Sequence, residues 1–99
     1  MRSSEEHRWK ESDDLVAFYL SRHGADQFCL SLSEVAMILG ISLGAMNMRM
    51  SNFQSQESPG GVANASKQTR AVFQNYCKAP ELELRGMVRG ILMRAREVG

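Results

Sequence analysis

The chain has 99 residues, 43% of them hydrophobic and 23% charged, enough for one domain with a modest core and too few for two. Twelve Lys and Arg against eleven Asp and Glu leave a formal net charge of +1, which excludes bulk attraction to nucleic acid or membrane, so any such binding needs local placement of charge. No run approaches the roughly 18 apolar residues of a membrane span, and the polar start MRSSEEHRWKESDD lacks a signal peptide's apolar stretch, so a cytoplasmic protein is expected.

Residues 1–11 form a polar leader with one large apolar side chain, Trp9, either frayed or strapped down by its indole. A single helical domain is expected over 12–97. Ser12 is the expected cap of the first helix, with Asp13 and Asp14 at the positive end of its dipole. Leu15, Val16, Phe18, Tyr19 and Leu20 supply its apolar side, His23 a C-terminal cation, and Gly24 its stop. Residues 24–30 read as a loop with Phe28 or Leu30 plugged into the core.

Ser31 and Glu34 have the spacing of a capping box, which starts a second helix at Leu32 and carries it through Val35, Ala36 and Leu39 to Gly40. Ser42 caps a third, whose Met46, Met50 and Phe53 fall at i, i+4, i+7 on one face. The run from Gln54 to Ala63, with Pro59, Gly60 and Gly61, reads as a loop. Asn64 or Ser66 caps a fourth helix with Val72, Phe73, Tyr76 and Thr69 inward, ended by Pro80 after Ala79. A fifth covers about Leu82 to Glu97, with Leu84, Met87, Val88, Ile91, Leu92 and Ala95 as its apolar stripe. No alternating strand pattern occurs, so the expected fold is all-α, four to five short helices containing a helix-turn-helix at 32–53. Cys29 and Cys77 have no CxxC spacing and are expected to be free, mostly buried thiols.

The segment Leu32 to Phe53 carries the functional signal. Ala36 and Gly40 stand four residues apart, and Val35, Leu39, Ile41 and Met46 can meet across the turn, as a helix-turn-helix requires; an ordinary two-helix corner is the plain alternative. In that geometry Ser42, Gly44, Ala45, Asn47, Met48 and Arg49 form the major-groove face, with Asn47 suited to adenine and Arg49 to guanine or a phosphate. Gly44 and Ala45 let the helix approach, while Met48 points away from Met46 and Met50 toward the groove or an interface. Residues 35–80 hold four basic side chains and one acidic, against four and seven in 1–34, so the positive segment holds the candidate recognition helix. Lys67 and Arg70, with Asn64 and Ser66 at the helix start, form a phosphate clamp, although Asn64 and Ser66 serve equally as caps. Arg85, Arg89 and Arg96 are either a second backbone contact or a solvated face. His23 with Cys29, or Asp13 with Asp14, lacks a third orienting group, so no catalytic residue, cofactor or metal is expected.

The stretches GISLGAMNMRMSNFQS and GGVANASKQTRAVF together resemble the amino-terminal helical DNA-binding domain that precedes the HNH nuclease domain in predicted bacterial restriction endonucleases. The likeness spans roughly residues 13–77 and rests on Leu39, Gly40, Ser42, Ala45, Met46, Arg49, Met50, Asn52 and Phe53, then Asn64, Ala65, Ser66 and Lys67. It implies DNA recognition by residues 42–53, with Asn52 as a turn or phosphate-contact residue and Asn64 to Lys67 ordering the next helix. It does not imply nuclease activity, which needs a His and Asn cluster in a ββα unit, whereas the only histidines are His7 and His23. The expectation is a non-catalytic double-stranded DNA-binding protein, nucleoid-associated, regulatory or nuclease-targeting, with a candidate homodimer contact through Leu84, Val88, Ile91 and Leu92. The alternative is a protein-interaction adaptor, phage or defence related, that uses the bundle without touching DNA.

Overall fold

A computed structural model describes residues 9–56 and 67–98 of the chain. Five α-helices follow in order: α1 Glu11–His23, α2 Leu32–Leu39, α3 Leu43–Gln56, α4 Lys67–Tyr76 and α5 Glu81–Val98, with a short 3-10 turn at Asp26–Phe28. The described residues contain no strand, and the fold is all-α.

Helix α1 is the centre of the domain. Asp13 through Leu20 are all buried, two full turns with no solvent side, because α3, α4 and α5 each pack against it. The run Leu15-Val16-Ala17-Phe18-Tyr19-Leu20 makes this affordable, since a helix apolar on every side is stable only when surrounded. Ser12 does not cap the helix, as its position suggested, but lies inside it; the cap residue is Lys10, two residues earlier, whose amide donates to the Asp13 carboxylate at 3.1 Å and closes the first turn. Gly24 ends it, at φ 76°, with its amide on the Leu20 carbonyl.

Phe18 joins three elements. Its ring lies 5.3 Å from that of Phe53 on α3 and 5.9 Å, edge-on, from that of Phe73 on α4. The Arg22 guanidinium covers the Phe18 ring at 4.6 Å and donates to the Cys77 carbonyl at 2.8 Å, satisfying a backbone acceptor just past the end of α4. One residue on, the buried Tyr19 ring meets Phe28 of the 3-10 turn, and its hydroxyl donates to Glu81 in the first turn of α5. Arg85 grips the same carboxylate with two hydrogen bonds of 2.8 Å and, with the Tyr19 hydroxyl, holds Glu81 below the usual carboxylate range. Burial, then the bond to Glu81, pushes the Tyr19 phenol up.

The α2 to α3 connection follows its local sequence closely. Ser31 accepts from the Glu34 amide at 3.1 Å while Glu34 accepts from the Ser31 amide at 2.8 Å, a reciprocal cap. Gly40 sits in the left-handed region at φ 74°, and the amide of Ile41 returns to the Ala36 carbonyl, so α2 ends in the motif that glycine permits. Ser42 then caps α3 by accepting from the Ala45 amide. Gly40→Ala should cost about 1–2 kcal/mol from the left-handed backbone alone. Gly44→Ala, in open space on an ordinary helical turn, should be neutral or stabilising; paired urea melts check both.

Three expectations need correction. Helix α4 stops at Tyr76, not Ala79, because residues 77–79 form a turn in which the Ala79 amide returns to the Tyr76 carbonyl. Cys29 is exposed, at φ 58°, and Cys77 half-buried, since both lie in turns; both thiols are free. Met87 leaves the apolar stripe of α5 for solvent, whereas Leu84, Val88 and Leu92 are core.

Candidate nucleic-acid interface

Helix α3 has two unlike sides. Met46 and Phe53 are completely buried and Met50 is half-buried, which fixes the inner face. Ser42 and Leu43 at its start, then Gly44, Asn47, Met48, Ser51 and Gln54, are exposed. This outer face carries no charge: small groups, two amides, hydroxyls and two apolar side chains. Ser42, Gly44, Asn47 and Met48 therefore share the face expected of them, while Ala45 and Asn52 lie half-buried on its flanks.

Arg49 does not join that face. Its Nε lies 2.9 Å from Oδ1 of Asp14, and its guanidinium stacks 4.2 Å from the centre of the Trp9 ring. Its side chain keeps 15% of its exposure and that of Asp14 none. The charge expected at guanine or a phosphate is thus neutralised inside the fold, a correction whose cause is the buried carboxylate on α1. Gln68, in the first turn of α4, donates to the other Asp14 oxygen and to the Trp9 carbonyl at 2.8 Å. Thr69 hydrogen-bonds the same carboxylate. Burial pushes the Asp14 carboxyl up, opposed by Gln68, Arg49 and Thr69 and reinforced by neighbouring Asp13. Trp9 is half-buried and docked between Arg49 and Gln68, so at this residue the leader is strapped down.

This network brings the start of α4 beside α3. Lys67 and Arg70 bracket Gln68 and Thr69 on that turn and are exposed, as a pair of phosphate contacts has to be. Asn64, Ser66 and the loop containing Glu57 lie outside the described residues. Arg85 is spent on Glu81, and Arg89 lies 6.0 Å above the Phe28 ring, so two of the three arginines expected on one face of α5 are engaged within the fold. The expected dimer set is also relocated: Leu84, Val88 and Leu92 are buried in the core and Ile91 is half-buried against it.

Sequence reasoning missed Asp14 and Gln68. Two adjacent aspartates in a first turn look like dipole partners, and nothing local marks one of them as internal. Among the described residues no group of His, Cys, Asp and Glu could hold a metal ion, and no helix is long and apolar enough to cross a membrane. No family model, curated protein or solved structure matches the chain.

Proposed function

We propose that the protein is a non-catalytic module that binds double-stranded DNA by laying α3 in the major groove, in a regulatory or nuclease-targeting role. The observation that carries this reading is the uncharged outer face of α3, Gly44, Asn47, Met48 and Ser51, on a helix that follows α2 after three residues and is anchored from behind by Arg49. Such a face suits base edges, where hydrogen-bonding amides and small groups discriminate and phosphates are contacted from the sides. Lys67 and Arg70 supply those side contacts. With Arg49 withdrawn, α3 offers nothing for bidentate binding of guanine; Asn47 suits adenine and Met48 the thymine methyl, so the reading favours A·T pairs. The likeness of 39–53 and 64–67 to nuclease-associated DNA-binding domains agrees with the targeting role.

A fluorescence-anisotropy titration of labelled duplexes across a salt series tests the proposal. Binding should weaken with salt, and Lys67→Ala should flatten the log–log slope by about 1, as loss of one phosphate contact does. Asn47→Ala should leave that slope intact and erase the preference between A·T-rich and G·C-rich duplexes. Absence of binding at low salt by folded protein would remove DNA from the account. The adaptor reading would then gain, favoured by Met48 at 69% and Leu43 at 42% exposure on the same face.

A further inference from the structure

Helix α5 has a second, outward face that the core does not use. Opposite the buried Leu84, Val88 and Leu92 lie Leu82 and Met93, exposed by 71% and 56%, in one row with Gly86. Beside them runs a second row, Glu83, Gly90 and Arg94, with both charges exposed. The helix is acidic at its start, with Glu81 and Glu83, and carries Arg94 and Arg96 near its end.

We infer that this face binds a second copy of itself, α5 against α5 in antiparallel orientation about a two-fold axis. In an antiparallel pair each row meets the same row of the partner. When Gly86 of one copy lies over Gly90 of the other, Leu82 comes to within one residue of the level of Met93 in the partner, and Glu83 to within one residue of Arg94. One residue is only about 1.5 Å of helix, well inside the reach of these side chains. One flank of the contact is then apolar and the other an ion pair, and each is made twice by symmetry. A parallel two-fold pair would bring unlike rows together, setting Glu83 and Arg94 against the partner's Leu82 and Met93 and leaving both charges without a counter-charge across the contact.

Among the described residues, packing within one copy does not require these glycines, which line a groove beside Glu11 and Ser12 of α1. A Cβ at Gly86 would meet no atom within 4 Å, and one at Gly90 only the tip of the Arg94 side chain at 3.5 Å. Glycine weakens a helix interior relative to alanine, so two of them one turn apart, Gly86 exposed and Gly90 half-buried, are a cost that the described packing of the monomer does not offset. Close approach of a partner helix offsets it. The inference does not depend on DNA binding, although a dimer would present two copies of α3 to a symmetric site.

Sedimentation equilibrium of the full chain over ~1–500 µM spans the range in which a single helix pair, a small interface, should associate. The expected result is a mass rising from 11.1 kDa toward twice that value. Gly86→Leu should abolish the rise while its thermal melt shows it still folded. Glu83→Arg and Arg94→Glu should each weaken association at least about tenfold, because each disturbs two symmetric pairs, and the two combined should recover most of the loss. A monomer at every concentration, a dimer indifferent to Gly86→Leu, or charge swaps that do not rescue each other would overturn the inference.

Discussion

Arg49→Ala should destabilise the protein by about 3 kcal/mol, the cost of leaving a buried carboxylate without its counter-charge. For a domain of this size that corresponds to a fall in Tm on the order of 10–20 °C, readily seen by circular dichroism. Asp14→Asn should cost far less. Burial already opposes ionisation of Asp14, an amide oxygen still accepts from Gln68 and Thr69, and the Arg49 side chain, with 15% of its exposure left, is close enough to solvent to turn toward water. The double variant should be milder than the sum of the singles, since removing both charges removes the conflict. The pH dependence has a definite sign. A carboxyl whose folded pKa is raised contributes stability that is complete below its unfolded value and is lost as pH rises through the folded one. Removing Arg49 raises the Asp14 carboxyl further, so the gap between Arg49→Ala and the parent should be widest near neutrality and narrow on acidification. A gap that stays constant from pH 7 to pH 4 would contradict this account.

The second large effect belongs to Phe18. Truncation to Ala removes a fully buried ring that touches Phe53, Phe73 and the Arg22 guanidinium, and about 3–5 kcal/mol is the usual cost of such a cavity. Domains of this size hold only about 5–15 kcal/mol in all, so Phe18→Ala should lose a large share of the total and unfold at a much lower urea concentration than the parent. Phe18→Leu, which refills much of the space, should retain a cooperative urea transition. Near-UV circular dichroism reads the same event through the loss of fixed aromatic packing. Met48→Ala, on the exposed side of α3, should stay within about 0.5 kcal/mol of the parent and serves as the control.

What could be read from the chain was whatever local chemistry decides. The reciprocal cap of Ser31 and Glu34, the left-handed Gly40 and the inner set Met46, Met50 and Phe53 all depend on residues within a turn or two of each other, and all stand as their spacing implied. The fate of Arg49 depends on a residue 35 positions away. Even so, a signal was present: Arg49 falls three residues after Met46 and four before Phe53, on the border of the buried face and not opposite it. An arginine at that register needs an internal anion, and the carboxylates just before the unbroken apolar run of α1 were the available ones. Helix α5 misled in a similar way. Its apolar stripe looked long enough to share between core and partner, but a small domain needs all of Leu84, Val88 and Leu92, and the spare surface lies on the glycine side.

The complete enclosure of α1 has a consequence for how the molecule is made. Its apolar run leaves the ribosome well before one of its walls, because α5 begins only at Glu81, 70 residues after Glu11. At roughly 5–20 residues per second, that leaves Leu15 to Leu20 without their final neighbours for about 4–14 s. During synthesis this segment is an unsheltered apolar peptide, open to non-native association until its last wall arrives.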